Sequence, residues 1–266
     1  MDLERLTRKI EDAVRHCGAL MRGADRERAF VEQKEGHGNF VTFYDRQNQE
    51  YLKETLTGLL PGAVFVGEEE DVHGDILKGF SFVADPIDGT MNFIRDYRES
   101  AVSVALLQDA VPVIGVVYNP YLDEMFTAAA GMGARMNGKR IRVSGRPLRE
   151  SVVLFGTSPY YEALTALSFR VAEAYCRNGL DIRRSGSAAL DLCDIAMGRA
   201  EIFFEMRLSP WDYAAGSLIV REAGGQVTQA DLSPLCFTAP CSVFARGSGI
   251  RDGERPAEIL KTLGTA

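Results

Sequence analysis

The 266-residue sequence predicts a mixed α and β fold in which layers of helix and sheet are stacked. Three observations support this prediction. An amphipathic helix opens the chain, short strands fill its middle, and strands alternate with helices in its second half. Hydrophobic residues make up 46% of the chain, which at this length can form one large domain or two closely packed parts. We therefore expect one compact folded unit.

Two helices are predicted at the start of the chain. Apolar residues recur at three- and four-residue intervals behind a possible Asp2 cap, so the first helix should end near Gly23. The second helix should cover residues 45–60, because Pro61-Gly62 stops it. Both helices precede the first well-defined strand pattern.

Strands dominate the rest of the first half. The runs AVFVGEE and FSFVAD each predict a short buried strand that ends in acidic residues. Four more strand patterns follow between residues 100 and 142, and Asn137-Gly138 is a strong signal for a tight hairpin turn. This part should therefore be rich in antiparallel sheet.

The second half alternates between strands and helices. Strands are predicted for SVVLFG, DIRR, AEIFFE and CSVFARG. Helices are predicted for residues 160–176, for residues 188–197 and from Trp211 onward. The change in pattern lies near Pro147, and it divides the chain into an N-terminal part, residues 1–147, and a C-terminal part, residues 148–266.

Charge and cysteine content restrict the kind of partner. With 37 acidic and 30 basic residues the net charge is −7, the wrong sign for binding nucleic acid or anionic lipid mainly by charge. The chain opens without the apolar core of a secretory leader and has no apolar run long enough to span a bilayer. Five cysteines without a CxxC pair argue against a disulfide framework. We expect a cytoplasmic protein with small ligands and without nucleic-acid or membrane partners.

The main candidate site follows the strand FSFVAD, in the string DPIDGTMNF. Asp85 and Asp88 stand three residues apart, with a proline turn between them. Hard divalent cations prefer compact sets of oxygen ligands, and such a turn can aim both carboxylates and the Ile87 carbonyl at one point. Gly89-Thr90 would then open a helix whose amides and dipole favour an anion. An aspartate that only caps an ordinary helix is the alternative.

Other polar segments are weak when each is taken alone. The run GEEED after the first predicted strand is more often a solvated surface than a site. Asp212, in PWDYAAG, could simply cap the helix that follows it. The three histidines, His16, His37 and His73, lack metal-ligand spacing and are interpreted as surface residues. Cys193 and Arg199 have Cys-x5-Arg spacing, but Cys193 lies within the helix predicted for residues 188–197 and not in a phosphatase-type loop. A GxxxxGK[ST] string is absent from the sequence, so both of these routes to phosphate chemistry are excluded.

Taken together and in order, the strings GEEE, DPIDGTMNF and PWDYAAG resemble the signatures of the inositol monophosphatase family. The resemblance extends from about Lys34 to Gly225. It implies an α+β fold with α-β-α-β-α layers, assembled as a homodimer. It also implies a lithium-sensitive, Mg²⁺-dependent phosphatase that hydrolyses a small polyol or sugar phosphate, with inositol 1-phosphate as the first expectation.

The resemblance also assigns metal ligands. Glu68, Asp85 and the Ile87 carbonyl would hold one Mg²⁺, and Asp85 would bridge to a second ion. Asp88 and Asp212 would complete the coordination of that second ion, and Glu68 would help to bind a third, more weakly held ion. Two or three ions suit phosphoryl transfer, because one can lower the pKa of the attacking water while another stabilises the leaving oxygen.

Asp45 matches the family aspartate that pairs with Thr90 to orient and deprotonate the attacking water, so both are assigned to catalysis together with Glu68. The alternative for Asp45 is a cap on the following helix. We expect that its side chain cannot freely make the hydrogen bonds of both roles. The spacing from Lys34 to Asp45 also fits the family's mobile loop near the metals.

The resemblance implies a set of substrate-binding residues in both halves, namely Gly89, Thr90, Ser158, Gly186, Ser187, Ala188 and Glu205. The Gly89 and Thr90 amides should bind the phosphate, with the second helix start at Ser187 on the other side. Glu205, at the end of its strand, should accept hydrogen bonds from substrate hydroxyls. Thr157 and Ser158 should form part of the rim.

The sequence departs from the family pattern after DPIDGTMNF. Where the family commonly has His-Gly-Phe-Pro, residues 94–99 read IRDYRE, which should alter the rim or a dimer contact. Asn92-Phe93 favours the inositol branch over the PAP-phosphatase branch, while fructose 1,6-bisphosphate, histidinol phosphate and NADP stay open as alternatives. A catalytically inactive metal-binding scaffold is the competing class, but such a relative should have lost a ligand, Asp45 or Thr90.

Overall fold

The computed structural model describes residues 2–25, 31–33, 40–69 and 76–263. The α-helices in these residues are α1 (Leu3–Arg22), α2 (Phe43–Leu59), α3 (Thr90–Ile94), α4 (Glu162–Asn178), α5 (Ala188–Met197), α6 (Pro210–Glu222) and α7 (Pro256–Ile259). The strands of the first half are β1 (Val31–Gln33), β2 (Phe40–Thr42), β3 (Val64–Gly67), β4 (Phe80–Asp88), β5 (Ala101–Gln108), β6 (Val111–Asn119), β7 (Glu124–Ala129), β8 (Ala134–Met136) and β9 (Lys139–Arg140). Those of the second half are β10 (Val152–Phe155), β11 (Asp181–Arg183), β12 (Ile202–Leu208), β13 (Gln226–Thr228) and β14 (Cys241–Arg246).

The larger sheet has seven strands in the order β3-β4-β5-β6-β7-β8-β9. β3 and β4 are parallel, and the other neighbouring pairs of this sheet are antiparallel. Asn137 and Gly138 join β8 to β9 with φ angles of 48° and 76°, the left-handed pair that a two-residue hairpin turn requires. The predicted hairpin is confirmed.

The smaller of the two main sheets has five strands in the order β11-β10-β12-β14-β13, and β1 and β2 form a separate antiparallel pair. β10 runs parallel to β11 and β12, and β14 runs antiparallel to both of its neighbours. α4 provides the crossover between the parallel strands β10 and β11. The second half is therefore the alternating part of the chain, as its sequence predicts.

Helices and sheets form five layers. α1 and α2 cover one face of the larger sheet, α5 and α6 lie between the two sheets, and α4 covers the outer face of the smaller sheet together with α7. Three hydrophobic clusters fill the space between the layers: one beneath α1 and α2, one on both sides of α5 and α6, and one beneath α4 and α7. The predicted α+β fold with α-β-α-β-α layers is confirmed.

β5 shows why the sequences of the central strands are apolar throughout. Val102 and Val104 face the core beneath α1 and α2, whereas Ala105 and Leu107 face the core shared with α5 and α6. Successive side chains of a strand point to opposite faces, so a strand buried on both faces is apolar throughout. The run AVSVALL meets that requirement.

The helix predictions agree closely with the structure at some ends and differ at others. α1 is capped by Asp2, which accepts from the Arg5 amide at 2.9 Å, and α5 has the predicted bounds. α2 begins at Phe43 rather than Asp45, because Thr42 is its capping residue. No helix in the described part of the chain is both long and apolar enough to cross a membrane.

Two strands run further than predicted. β4 continues to Asp88 instead of ending at Asp85, and its register against β5 shifts between these residues, so the predicted turn is a strand irregularity. β12 continues to Leu208, so Glu205 lies within the strand and is buried rather than standing at an exposed end. Both differences arise because pairing with a neighbouring strand, and not local sequence, sets where a strand ends.

The two sheets occupy residues 64–140 and 152–246, one on each side of the predicted boundary near Pro147. The core between them nevertheless draws on both halves of the chain. Division into residues 1–147 and 148–266 stays a prediction.

Candidate active site

A cavity of about 570 Å³ lies at the end of β4 and is lined by residues from both halves of the chain. Three helices begin at its wall: α3 follows Gly89, α5 follows Ser187 and α6 follows Ser209. The first turn of a helix carries unpaired N–H groups and the positive end of the helix dipole. This wall therefore favours an anion.

Asp85, Asp88 and Asp212 converge in the cavity, with one oxygen of each lying within 4.8 Å of the others. Asp85 and Asp88 come from the end of β4, and Asp212 comes from the first turn of α6. The irregularity in β4 brings the two β4 carboxylates together although they are three residues apart. A compact, oxygen-only set of this kind suits Mg²⁺.

Backbone amides orient these carboxylates. Asp85 Oδ1 accepts from the Ile87 amide at 2.9 Å, and Asp212 Oδ2 accepts from the Ser209 amide at 2.7 Å. Asp88 Oδ2 accepts from the Ala189 amide at 3.0 Å. The three side chains are thus fixed by the same backbone that starts α3, α5 and α6.

The electrostatics of the cluster are those of a site that lacks compensating positive charge. Burial raises the pKa of Asp85 and of Asp212 well above the usual range, and neighbouring carboxylates raise both further. Burial also raises the pKa of Asp88 to about 6, although hydrogen bonds from Ser187 and Ala189 oppose the rise. Among the described residues, no Lys or Arg forms an ion pair with these aspartates. A divalent cation would fit both the donor set and its charge.

Glu68 follows β3 and lines the same cavity, but it lies outside the group of three converging carboxylates. Its charge contributes to the raised pKa of Asp85 and of Asp212. Ile87, the predicted carbonyl ligand, also lines the cavity. The structure therefore brings all five predicted metal ligands to one cavity, three of them in a tight cluster.

Asp45 uses its two carboxylate oxygens for different partners. Oδ2 accepts from the Thr42 amide at 2.8 Å and from the Thr42 hydroxyl at 2.5 Å, which completes the capping box of α2. Oδ1 lies 3.3 Å from the Thr90 hydroxyl, which is also 3.1 Å from the Ile87 carbonyl oxygen. The expectation that the side chain could not freely make both sets of hydrogen bonds was wrong, because each oxygen has its own partner. Burial raises the pKa of Asp45 to about 7.

Gly89 is the turn residue between β4 and α3. Its φ is 83°, in the left-handed region, and a Cβ at this position would lie 3.0 Å from the Glu99 carbonyl oxygen. Asn92 holds the same region by donating to the carbonyls of Glu99 at 2.7 Å and Ser185 at 3.0 Å. The predicted phosphate-binding amides of Gly89 and Thr90 therefore lie at a rigid corner of the cavity.

The start of α5 forms the opposite wall, as predicted, and Gly186, Ser187 and Ala188 all line the cavity. The Ser187 hydroxyl donates to Asp88 and also caps α5 by accepting from the Leu190 amide at 3.3 Å. Together with the Ala189 amide, it orients Asp88. Ser187 thus contacts the carboxylate cluster as well as the cavity.

Glu205 is buried at the far side of the cavity. Its Oε1 accepts from the Ser158 amide at 2.8 Å, and burial raises its pKa to about 7. Ser158 lines the cavity beside it, whereas Thr157 is buried without lining it; the Thr157 carbonyl accepts from the Thr165 hydroxyl at 3.0 Å. Of the two predicted rim residues, Ser158 therefore lines the cavity and Thr157 does not.

Sequence reasoning missed several cavity residues. Asp191 is buried one turn into α5, and its Oδ1 has no hydrogen-bond partner among the described residues. Arg184 and Arg207 also line the cavity, together with Tyr161. The one available signal was the spacing from Ser187 to Asp191, which places both on one helix face.

Some predicted features lie elsewhere. Residues 95–99 are exposed and do not line the cavity. His16 is exposed and stacks on Tyr51, with ring centroids 4.0 Å apart. Lys34, Glu70, His37 and His73 lie outside the described residues, as does most of the predicted mobile loop.

The model of the inositol monophosphatase family matches residues 2–259. The chain belongs to the inositol monophosphatase family. Among its relatives, an inositol-1-monophosphatase from Synechocystis sp. is 39% identical over 77% of this chain and 72% of its own length. A Nus factor SuhB from Haemophilus influenzae is 35% identical over 94% of this chain and 91% of its own.

Solved structures agree with the sequence comparison. The extragenic suppressor protein SuhB from Bartonella henselae superposes with a TM-score of 0.86 at 31% identity. The match covers 97% of this chain and 98% of that one. The layered fold is therefore that of this phosphatase family.

Proposed function

We propose that this protein is a Mg²⁺-dependent phosphomonoesterase that hydrolyses a small polyol or sugar phosphate. The observation that carries the proposal is the cluster of Asp85, Asp88 and Asp212, whose oxygens lie within 4.8 Å of one another beside the start of α3. The family depends on Mg²⁺ in general, and an anion-binding wall next to a cation site suits a phosphate ester.

The proposed metal ligands are Glu68, Asp85, the Ile87 carbonyl, Asp88 and Asp212, serving two or three Mg²⁺ ions. Asp85, one of the three clustered aspartates, would carry the bridging role that the family resemblance implies. Bound Mg²⁺ would supply Lewis-acid chemistry, lowering the pKa of the attacking water and offsetting charge on the phosphoryl group.

Side chains and backbone amides of the protein would accept the proton of the attacking water and bind the phosphate. The Thr90 hydroxyl, 3.3 Å from Asp45 Oδ1, would orient the attacking water, and Asp45 would accept its proton. A carboxyl with a pKa of about 7 is suited to that exchange near neutral pH. The amides of Gly89 and Thr90 would bind phosphate oxygens at the start of α3. Glu68 completes the proposed catalytic group.

The leaving alcohol would lie towards Glu205 and Ser158, with Gly186, Ser187 and Ala188 along the wall between. Inositol 1-phosphate is our first substrate, because Asn92-Phe93 follows the inositol branch and a relative is named inositol-1-monophosphatase. Fructose 1,6-bisphosphate, histidinol phosphate, PAP and NADP are the alternatives within the same reaction.

A substrate panel tests the proposal. Purified protein is incubated with inositol 1-phosphate, the alternative esters and p-nitrophenyl phosphate, with and without Mg²⁺, and released phosphate is measured. We expect turnover that requires Mg²⁺, is inhibited by Li⁺ and, among the esters with a single phosphate, is fastest on inositol 1-phosphate. Undiminished activity after exhaustive chelation would contradict the metal mechanism.

A non-catalytic role is the second candidate, because several relatives are named Nus factor SuhB rather than as enzymes. In this chain Thr90 and the three clustered aspartates line one cavity, and Asp45 Oδ1 lies 3.3 Å from the Thr90 hydroxyl. Absence of phosphate release from every ester of the panel would favour the binding role.

Assembly and location complete the proposal. By analogy with the family we propose a homodimer. Size-exclusion chromatography with light scattering, which measures the molar mass in solution, checks this proposal. The five cysteines are all free in the structure, which suits the reducing cytoplasm that we propose as its location.

A further inference from the structure

The two ends of the cavity differ in charge. Asp85, Asp88, Asp212 and Glu68 make one end acidic, and this is the end where Mg²⁺ and the scissile phosphate are proposed to bind. Arg184 and Arg207 also line the cavity. The charge of Arg184 acts on Glu205, and the Arg207 amide bonds to Ser158, whose own amide donates to Glu205. The proposed chemistry assigns no role to these two arginines, so their place in the cavity wall calls for a separate explanation.

Arg184 is in the short segment between β11 and α5. An ideal Cβ on Gly186 would lie 3.4 Å from Nη1 of Arg184, so the Arg184 guanidinium lies close to the Gly186 backbone. Its charge also acts on Glu205 and opposes the rise in the pKa of that buried carboxyl. Among the described residues, no acidic side chain forms an ion pair with Arg184.

Arg207 is two residues beyond Glu205 on β12 and is held by its own backbone and by an aromatic ring. Its amide donates to the Ser158 hydroxyl at 3.1 Å, and its guanidinium lies 4.9 Å from the centroid of the Tyr161 ring. A stacked guanidinium loses less freedom on binding an anion, because its plane is already oriented. Arg207 likewise has no acidic partner among the described residues.

The neighbouring Arg183 shows what an ordinary surface arginine does here. It lies outside the cavity and forms an ion pair with Asp181 at 2.6 Å. Arg184 and Arg207 line the cavity and lack such a partner, although the protein has an excess of acidic residues. A neutral polyol would leave both guanidinium groups without an anion, whereas a second phosphate would match their forked N–H groups.

We propose that Arg184 and Arg207 form a second phosphate subsite, so that the enzyme prefers small phosphomonoesters that carry another phosphate on the leaving alcohol. This inference rests on the proposed phosphatase function and specifies its substrate class. The scissile phosphate lies at the carboxylate cluster, and the second phosphate lies at Arg184 and Arg207 without being hydrolysed there. Charge-assisted hydrogen bonds of this kind favour the bisphosphate by roughly tenfold to a hundredfold.

Matched substrate pairs test the subsite. Initial rates of phosphate release are measured in Mg²⁺ for glucose 1-phosphate against glucose 1,6-bisphosphate, and for inositol 1-phosphate against inositol 1,4-bisphosphate. Native protein is compared with Arg184→Ala, Arg207→Ala and the control Arg183→Ala. We expect kcat/KM to favour a bisphosphate at least tenfold in native protein and in Arg183→Ala. The preference should fall roughly tenfold or more in each of the other two variants, mainly through KM.

Arg184→Lys and Arg207→Lys separate charge from geometry. Each should recover part of the lost preference, because lysine keeps the charge and loses the two-pronged contact. The bisphosphate preference that these lysine variants keep should also weaken as the salt concentration is raised, since the side chains at positions 184 and 207 are exposed to solvent.

Two results would overturn the subsite. The first is a ratio of kcat/KM, bisphosphate over monophosphate, that is near one for both pairs in native protein. The second is an Arg→Ala change that lowers kcat/KM equally for both members of a pair. If none of the four compounds is hydrolysed, the phosphatase proposal itself fails. Isothermal titration of the same compounds then decides the subsite, and a bisphosphate affinity unchanged by Arg184→Ala and Arg207→Ala contradicts it.

Discussion

Asp45, Asp88 and Asp212 each accept a hydrogen bond from a backbone amide at the start of a helix. Asp45 accepts from Thr42 and Asp212 accepts from Ser209, so both close a capping box. From sequence, helix capping and site chemistry are competing interpretations of such an aspartate. In the structure they are compatible, because a carboxylate has two oxygens and the capping bond also orients it.

Replacing a clustered aspartate tests the proposed metal site. Asp85→Asn and Asp212→Asn should each reduce turnover to the background rate, because a neutral amide is a poor ligand for Mg²⁺. The metal-free variants should stay folded, since burial already disfavours the charged form of both carboxyls, whose pKa values are raised. Phosphate release and thermal unfolding are measured together.

Asp12→Asn is the matched control, because Asp12 is exposed on α1 and away from the cavity. It should leave both activity and unfolding temperature unchanged. Purified Asp85→Asn protein with native activity would remove the basis for a bridging role at that position.

Thr90→Ala separates water orientation from phosphate binding. The change removes the hydroxyl that lies 3.3 Å from Asp45 Oδ1 but leaves the Thr90 amide at the start of α3. We expect kcat to fall by roughly two to four orders of magnitude with KM little changed, the range for a positioned proton-transfer group. Steady-state kinetics on inositol 1-phosphate measure both constants.

Thr57→Ala is the control for this change. The Thr57 hydroxyl donates to the Lys53 carbonyl at 2.7 Å within α2 and is remote from the cavity. Its kinetics should equal those of native protein. An unchanged kcat in Thr90→Ala would show that Asp45 and Thr90 are not the activating pair.

Elements whose signals are local could be predicted from the sequence. α5 was predicted with its observed bounds, because Ser187 caps its start and Gly198, with φ 75°, ends it. The hairpin at Asn137-Gly138 is equally local. The extension of β4 to Asp88 and of β12 to Leu208 was not predictable, because it depends on pairing with β5 and β14.

The candidate site divides in the same way. The clustered aspartates and Glu68 stand in compact strings that resemble family signatures, so sequence sufficed to select them. Arg184, Arg207 and Asp191 stand in no such string. They reach the cavity only because β12 and α5 lie beside the end of β4, about a hundred residues earlier in the chain.

Contact between β6 and α6 controls the position of Asp212. A Cβ on Gly115 would lie 2.5 Å from the Ala215 carbonyl oxygen, so Gly115→Ala must push α6 away from the sheet. We expect a loss of about 1–3 kcal/mol in the free energy of unfolding, typical of overpacking. Turnover should fall as well, because Asp212 is in the first turn of α6. Urea unfolding and phosphate release measure the two effects.

Gly58→Ala is the corresponding control on α2. A Cβ there would meet nothing within 4 Å, and Gly58 is exposed within the helix. Alanine should therefore stabilise the protein by about 0.5–1 kcal/mol and leave turnover unchanged. If Gly115→Ala protein is as stable and active as Gly58→Ala protein, β6 and α6 accommodate the added methyl group without displacing Asp212.

At the scale of the whole molecule, the cavity depends on both sheets. Asp85 and Asp88 come from the larger sheet, Glu205 comes from the smaller one, and Asp212 comes from a helix between them. Each of these carboxyls is buried or nearly so, and together they act against folding when no cation is bound. Folding and metal binding should therefore be coupled.

The coupling predicts how stability depends on pH. Burial raises the pKa of Asp45 and of Glu205 to about 7 and that of Asp88 to about 6, against values of about 4 in an unfolded chain. The folded state therefore binds more protons than the unfolded state between about pH 4 and pH 7. Stability should fall as pH rises through this window, by about 1.4 kcal/mol per pH unit for each group that is titrating.

Mg²⁺ should reverse much of that loss, because it favours the charged carboxylates and binds only the folded site. Thermal unfolding is measured from pH 5 to pH 8 in EDTA and again in excess Mg²⁺. We expect the metal-free unfolding temperature to fall towards pH 8, and the increase produced by Mg²⁺ to be larger at pH 8 than at pH 5. Asp45→Asn should flatten the metal-free profile, since it removes one titrating group, whereas Asp12→Asn should follow the native profile. A metal-free protein that is more stable at pH 8 than at pH 5 would contradict the raised pKa values and with them the electrostatic basis of the metal site.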